Sequence, residues 1–199
     1  MAYVDEAVYL PGRGAIYKAD EGTEPPTMAE LESWLAAGRT GDIGTDWSSI
    51  GYTSIDELPS LTSETEGGEP MAVWEKAQFR ASQVTEITSM TCAPVQWDLE
   101  TAKRRWGAGA TQDPDTGAIK LPTSYTPTTE AFMVIFVDGD RMLVLHFYKA
   151  STSPEGDIAP DGEQFLAQPF KYTVLDHASG RGNILGTHMK TTTDEGEGA

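Results

Sequence analysis

The chain has little of the chemistry on which most metal centres and disulfide scaffolds depend. Its 199 residues contain one cysteine and three histidines. A single cysteine, Cys92, excludes an intrachain disulfide and a cysteine-based metal site. Because Cys92 lies in a stretch of Thr, Ser and Met, it is predicted to be a small buried residue of a strand.

Positive charge is also scarce. There are 14 Lys and Arg residues against 31 Asp and Glu, so the net charge is −17. Without a basic stripe, tight binding to nucleic acid is not expected, and neither is binding to an anionic membrane. The amino terminus lacks the pattern of a signal peptide, and the longest apolar run, Ala131–Val137, is too short to cross a bilayer. We therefore expect synthesis in a cytoplasm and no membrane partner.

Motifs for catalysis are missing as well. The histidines, His146, His177 and His188, are scattered, and no H-E-x-x-H, G-x-S-x-G or P-loop pattern occurs. His146 lies in an apolar run and is interpreted as a hydrogen-bonded core residue. The Asp113-x-Asp115-x-Gly117 run is better explained as a turn held by aspartate side chains than as a calcium loop. The sequence therefore predicts no catalytic residue, no cofactor and no metal.

The residues that are present indicate a β-rich protein. Twenty Gly and 12 Pro are typical of many turns and short elements. The clearest element is a hairpin of two strongly apolar runs joined at Asp138-Gly139, a preferred tight-turn pair. Because both runs are apolar on both faces, we expect them in the middle of a sheet. The predicted strands are Trp47–Ile55, Met71–Arg80, Gln83–Cys92, Glu130–Val137, Arg141–Lys149 and Phe165–Leu175.

Two short helices are predicted from their capping signals. Thr27 and Glu30 have the spacing of a capping box at the start of residues 28–37. Asp98 suits the amino-terminal end of a helix over residues 98–106, and Gly107 suits its carboxyl-terminal end. In that second helix, Leu99, Ala102 and Trp106 are expected to form the apolar stripe.

The remaining segments read as excursions from one domain over residues 1–176. Residues 1–26 form an extended amino-terminal arm with one β segment, and residues 56–70 form a long, exposed, acidic loop. From residue 177 to 199 the chain turns polar, which predicts a flexible tail. The densest internal acidic cluster is read either as a solvated loop or as a negative surface that faces a channel or a partner subunit. Its members are Asp56, Glu57, Glu64, Glu66, Glu69 and Glu75.

The order and spacing of several segments resemble those of the major tail tube proteins of long-tailed, siphovirus-type bacteriophages. The resemblance covers most of residues 1–176. The segments that carry it are Gly14-Ala15-Ile16-Tyr17, Pro26-Thr27, Trp47-Ser48-Ser49-Ile50-Gly51-Tyr52-Thr53-Ser54-Ile55-Asp56, Val73-Trp74-Glu75, Trp106-Gly107 and Pro169-Phe170-Lys171-Tyr172-Thr173-Val174.

The resemblance implies a fold dominated by β-structure, a β-sandwich or partly closed barrel with a flanking helix. It implies that six subunits form a ring and that rings stack into a hollow tube, through which DNA passes without specific binding. The acidic cluster would then be an inter-subunit or lumen-facing surface, and the arm would bridge rings through Tyr3, Val8, Tyr9 and Leu10. The implied partners are further copies of the chain, a tape-measure protein, a tail terminator and baseplate or initiator proteins. The implied location is the virion tail, after assembly in the host cytoplasm.

Two other classes of function stay open at this point. The chain could be a different virion or surface β-module, such as a tail terminator, a capsid decoration protein or a carbohydrate-binding domain. It could also be an enzyme whose catalytic residues lie far apart in the sequence, although no residue pattern supports that reading.

Overall fold

The computed structural model describes residues 3–189, which fold mainly as antiparallel β-structure with two α-helices. This confirms the predicted β-dominated class. The helices are α1, Met28–Ala36, and α2, Leu99–Trp106. The strands are β1 Arg13–Ala19, β2 Ser48–Ser49, β3 Ser60–Glu66, β4 Pro70–Val73, β5 Lys76–Ala81, β6 Thr85–Cys92, β7 Thr111–Gln112, β8 Ile119–Lys120, β9 Thr129–Asp138, β10 Arg141–Pro154, β11 Phe170–Val174 and β12 Gly182–Gly186.

The described residues form two compact units. Unit one contains residues 3–50, 130–149 and 177–189, and unit two contains residues 51–129 and 150–176. Each unit is assembled from segments that are distant in the sequence.

Unit one contains a sheet in the order β2-β1-β9-β10-β12, in which β1 pairs antiparallel with β2 and β9, and β12 pairs antiparallel with β10. The predicted central hairpin is confirmed as β9 and β10, and Gly139 takes a positive φ of 65° in its turn. In β1, a Cβ on Gly14 would lie 2.8 Å from the carbonyl oxygen of Ile135. Only glycine lets these two neighbouring strands approach so closely.

The core of unit one lies between this sheet and α1. The predicted capping box is confirmed, because Thr27 and Glu30 satisfy each other's backbone N–H groups. Leu31 and Trp34 are buried on one face of α1. Trp34 donates from Nε1 to the Tyr17 hydroxyl at 2.6 Å. The buried cluster is Tyr17, Ala19, Leu31, Trp34, Ile43, Trp47, Ala131, Met133, Ile135, Val137, Met142 and Val144.

His146 is fully buried in unit one and hydrogen-bonded, as predicted. Its Nε2 lies 3.0 Å from the Thr23 carbonyl oxygen, which makes Nε2 the protonated nitrogen. Asn183 therefore donates to the other ring nitrogen, Nδ1, at 3.3 Å, and also to the Tyr148 hydroxyl at 2.9 Å. The Tyr148 hydroxyl donates in turn to Glu24 at 2.7 Å. Burial lowers the pKa of His146, since a charged imidazolium would lose its hydration there.

Unit two contains the last residues of β10, Ala150–Pro154, which pair with β11. The strand order from there is β10-β11-β6-β3, and two small two-stranded sheets, β4-β5 and β7-β8, complete the unit. Alternate residues of β6 and β11 are buried, among them Met90, Cys92, Phe170 and Tyr172. Cys92 is buried in a strand, as its neighbours predicted. Asp113 accepts from the backbone N–H groups of Asp115 and Thr116, which confirms the predicted turn.

The caps of α2 are confirmed, but its predicted apolar stripe is only partly right, since Ala102 is buried and Trp106 is not. Asp98 accepts from the Thr101 N–H at 2.8 Å, and Gly107 ends the helix with a φ of 109°. Trp106 is exposed, whereas Arg104 and Arg105 are buried. The guanidinium of Arg105 donates to the carbonyl oxygens of Glu155, Gly156 and Pro169. A guanidinium carries five N–H donors, so one buried arginine can satisfy several carbonyl groups at once. This explains why Arg105 points into the unit although it is charged.

Two other local predictions also fail. The predicted strand Trp47–Ile55 contains only β2 and two isolated bridges, from Trp47 to Ile43 and from Thr53 to Pro94. Its backbone changes partner at Gly51, since the Ile50 N–H donates to the Ile16 carbonyl oxygen and the Ser54 N–H donates to that of Ala93. The predicted flexible tail contains β12 and a short 3-10 turn, Thr187–Met189. β12 pairs with β10. The rest of the predicted tail, residues 190–199, lies outside the described residues.

Candidate assembly surfaces

Residues 60–92 form one long two-stranded ribbon. β3 pairs with β6 over its whole length, from Ser60 opposite Thr91 to Glu66 opposite Thr85. Beyond Glu66 the two strands of the ribbon stay together, since Ser82 and Glu69 exchange hydrogen bonds of 2.9 and 3.1 Å. The ladder then continues as β4 and β5. We call β3 and β6 the stem, and residues 70–81 the tip.

The joint between stem and tip requires glycine. Gly67 and Gly68 have φ values of 90° and 80°, which side chains rarely adopt. A Cβ on Gly67 would also lie 2.0 Å from the Gln83 carbonyl oxygen. The two glycines therefore permit a backbone conformation at which β3 ends while the two strands of the ribbon remain paired.

The prediction of a long loop over residues 56–70 is corrected by the stem. β3 is a regular strand, although all seven of its residues are exposed, as the prediction expected. Its sequence, SLTSETE, lacks apolar alternation because neither face is buried. Hydroxyl pairs across the strands hold it to β6, with Thr62 to Ser89 at 3.0 Å and Ser63 to Thr88 at 3.3 Å.

The predicted acidic residues are spread along this excursion and do not form one cluster. Glu64 and Glu66 share one face of β3 because side chains alternate along a strand. Glu69 lies at the joint, and Glu75 lies in the turn of the tip. Asp56 and Glu57 precede the stem, where their backbone N–H groups donate to the Ser54 hydroxyl.

Glu64 and Glu66 belong to a broad polar face of unit two, which we call the hydroxyl face. The opposite face of the same strands carries the buried residues Met90, Phe170 and Tyr172. Cross-strand registers place the hydroxyl-face residues side by side. They are Ser60, Thr62, Glu64, Glu66, Thr85, Ile87, Ser89, Thr91, Ser151, Ser153, Lys171 and Thr173. Ile87 is the single large apolar side chain in this set, so the face is polar and offers little apolar area for contact with another protein.

The tip of the ribbon, in contrast to the polar hydroxyl face, exposes large apolar side chains. Trp74 lies in the turn between β4 and β5, and its exposed fraction is 100%. Met71, Val73 and Phe79 are also exposed. The tip contains Lys76 and Arg80 against Glu75 alone, so it is net positive in a strongly acidic chain. Contiguous exposed apolar side chains of this kind mark surfaces that bind a partner.

The predicted amino-terminal arm is shorter than residues 1–26. β1 lies between β2 and β9 in the sheet of unit one, so only residues up to Gly12 can project. The arm contains one 3-10 turn, Asp5–Ala7. Tyr3, Val8 and Leu10 are exposed, as expected of contact residues. Tyr9 is not, since its hydroxyl lies 2.6 Å from Nδ1 of His188.

Among residues 3–189, no three His, Cys, Asp or Glu side chains are grouped so that they could hold a metal ion. In the same part of the chain, no helix has both the length and the apolar character needed to span a membrane. The prominent features of the chain are thus a polar face, an open strand edge, an apolar tip and an arm. These are the candidate surfaces for assembly.

Comparison with known proteins agrees with this reading. The family model described as "Phage tail tube protein" matches residues 1–192. The chain belongs to this family. It is 31% identical to "Major tail protein Gp23" of Mycobacterium phage D29 over 179 residues, which cover 89% of each chain. It is 30% identical to "Major tail protein Gp23" of Mycobacterium phage L5 over the same share of each chain. Membership makes the protein a structural tail tube protein, and thus a component of the phage tail.

The family assignment confirms the resemblance read from the sequence. The ribbon was only partly predicted, because its four strands correspond to a predicted loop over residues 56–70 followed by two predicted strands, Met71–Arg80 and Gln83–Cys92. Trp74, its most exposed aromatic residue, had been placed in the middle of the first of these strands. A two-residue turn at Trp74-Glu75 has none of the Asn or Gly residues that announce a tight hairpin.

Proposed function

We propose that six copies of this chain close into a ring and that rings stack into the hollow tube through which the phage genome leaves the virion. The observation that carries this proposal is the edge of β3. β3 is the last strand in the order β10-β11-β6-β3, and all of its residues are exposed. An open strand edge is a template for pairing with another chain, and a contact whose rotation closes gives a ring.

The hydroxyl face supports a role as the wall of the tube. A lumen for DNA must not retain the phosphate backbone, which binds to clustered Lys and Arg. The face offers hydroxyl groups, Glu64 and Glu66, while its single cation, Lys171, lies 3.2 Å from Glu155. With a net charge of −17 per copy, such a wall repels DNA and lets it pass without specific binding.

The ribbon tip and the arm support contacts between copies. Both present apolar side chains to solvent, and neither is needed for the buried core of its unit. In the proposed tube, the tip and the arm reach a neighbouring copy and bridge successive rings. A tape-measure protein, a tail terminator and baseplate or initiator proteins would act with the tube, which assembles in the host cytoplasm. The proposed role is mechanical and requires no catalysis and no cofactor.

Electron microscopy of the purified protein over a concentration series tests the proposal. We expect rings or hollow tubes of constant bore to appear above a threshold concentration. A chain that stays monomeric at every concentration, even with the tail initiator complex of its own phage, would overturn the proposal.

The wall assignment has its own test. Reversal of Glu64 and Glu66 to Lys places cations on the hydroxyl face without touching the buried face. If this face lines the bore, particles with the double variant should eject DNA more slowly, because phosphates would bind to the wall. Reversal of Asp115 and Asp161 to Lys is the matched control, since it changes the net charge equally in loops of unit two. Equal ejection rates for the two variants would place Glu64 and Glu66 away from the bore.

A further inference from the structure

Tyr9 behaves differently from the rest of the arm. Every other described residue from Tyr3 to Gly12 is exposed, whereas Tyr9 is half-buried. Its hydroxyl lies 2.6 Å from Nδ1 of His188, and the two rings are in contact with their centroids 5.5 Å apart. The guanidinium carbon of Arg141 lies 5.4 Å from the centroid of the Tyr9 ring, a distance typical of a cation–π contact.

The backbone on both sides of Tyr9 is held as well. Arg141 pairs with Asp138 at 2.6 Å, and from this position it donates to the Glu6 carbonyl oxygen at 3.3 Å. Asp138 in turn accepts from the Leu10 N–H at 3.1 Å. The β9–β10 turn therefore grips the arm before and after the tyrosine. We call Tyr9, His188, Arg141 and Asp138 the clasp.

The site of the clasp is shaped for the tyrosine. A Cβ on Gly186, at the end of β12, would lie 3.2 Å from the Tyr9 hydroxyl and 3.0 Å from the His188 ring. These distances are tighter than ordinary contacts, so glycine gives the hydroxyl and the imidazole the room to meet. The partners of Tyr9 come from β10, the β9–β10 turn and the 3-10 turn after β12, and all of them belong to unit one.

The clasp turns the arm's apolar side chains outward. Val8 and Leu10, the neighbours of Tyr9, have exposed fractions of 69% and 83%. In an extended segment, one side chain held inward directs both of its neighbours outward. An autoinhibitory contact would cover these side chains, and this one displays them. A free arm would have to lose its backbone freedom when it binds a partner, and a held arm has already lost it.

We infer that the clasp is a positioning device, which fixes the arm in the conformation that contacts a second copy of this chain. Tyr9, His188 and Arg141 are then positioning residues for assembly, and Val8 and Leu10 make the contact. This inference rests on the proposed function, since it concerns the same contacts between copies.

The clasp is first tested in the monomer, where assembly plays no part. In the Tyr9→Phe variant, hydrogen exchange of the Leu10 amide should accelerate about fivefold or more, because one tertiary hydrogen bond fewer holds the arm. Tyr3→Phe removes the same atom from a fully exposed side chain of the same arm and should change nothing. Equal exchange in the wild type and in the Tyr9→Phe variant would overturn the clasp.

The second test is the threshold concentration for tube formation. We expect Tyr9→Phe and His188→Ala to raise it about fivefold or more at an unchanged Tm, and Tyr3→Phe to leave it unchanged. His188→Asn keeps an acceptor near the position of Nδ1 and should restore the wild-type threshold. A threshold that is unchanged or lower in the Tyr9→Phe variant would overturn the inference while the tube proposal stands. A wild-type chain that never assembles would overturn the tube proposal itself.

Discussion

Trp74 offers the sharpest test of how copies of this chain hold together. Its side chain has an exposed fraction of 100%, so in the monomer it contributes no buried apolar area. A tryptophan that becomes buried at an interface removes up to about 150–250 Å² from water. At about 25 cal/mol per Å², this area corresponds to roughly 4–6 kcal/mol as an upper bound.

Truncation of an interface residue removes only part of that value. Central aromatic residues of measured interfaces typically contribute about 2–4 kcal/mol when changed to alanine. Since about 1.4 kcal/mol is a tenfold change in an equilibrium constant, Trp74→Ala should raise the threshold concentration for tube formation about 30- to 700-fold. The Tm of the monomer should not change, because the monomer buries none of this side chain.

The assay is sedimentation of tubes over a concentration series, with the remaining soluble protein measured at each step. Gln78→Ala, an exposed polar residue of β5 in the same tip, serves as the matched control and should leave the threshold unchanged. Trp74→Phe should give an intermediate value because it keeps part of the apolar area. A threshold for Trp74→Ala within about twofold of the wild type, at which the change in free energy is below 0.5 kcal/mol, would refute the role of the tip.

Two further predictions concern stability. Arg105→Met leaves three carbonyl groups without the guanidinium that bonds to them, so it should lower the free energy of unfolding by about 3–5 kcal/mol. At about 2–4 °C per kcal/mol for a chain of this length, the Tm should fall by roughly 6–20 °C. Lys103→Met, on the same helix, loses one exposed ion pair and should cost less than about 1 kcal/mol; similar losses in both variants, measured by thermal unfolding, would contradict the special role of Arg105. Because burial lowers the pKa of His146, the unfolded chain binds a proton there more readily than the folded chain, so the free energy of unfolding should be constant above about pH 6.5 and fall as the pH drops below it. His146→Gln should flatten this slope in urea unfolding between pH 5 and 8, and an equal slope in both proteins would contradict the prediction.

The elements with local signals were predictable from the sequence. The capping box at Thr27 and the Asp98 cap each bind backbone N–H groups within three residues, so the residues that begin each helix are neighbours in the chain. The β9–β10 hairpin was predictable for a similar reason, since two apolar runs flank Asp138-Gly139. In these cases the information that determines the structure is local.

The predictions that failed concern elements whose structure depends on residues far away in the sequence. The inward face of α2 is determined by the carbonyl groups of Glu155, Gly156 and Pro169, which lie 50 to 64 positions beyond Arg105. No apolar pattern encodes such a contact. The stem of the ribbon is exposed on both faces of β3, so the alternation that announces a strand is absent. The sequence groups Tyr9 with the other apolar residues of the arm, but its inward orientation depends on His188, 179 positions further along the chain.

The charge of the chain restricts the surfaces through which copies can join in the proposed tube. Copies that each carry −17 repel one another, so contacts between them need apolar area, backbone pairing or a local excess of cations. The ribbon combines all three. Its stem offers an open strand edge, and its tip offers Trp74 together with Lys76 and Arg80. The Gly67-Gly68 joint separates the two parts, so that one ribbon presents an exposed polar face at its stem and an apolar, cationic tip. In the proposed tube, the same repulsion that keeps DNA from the wall also restricts contact between copies to these sites.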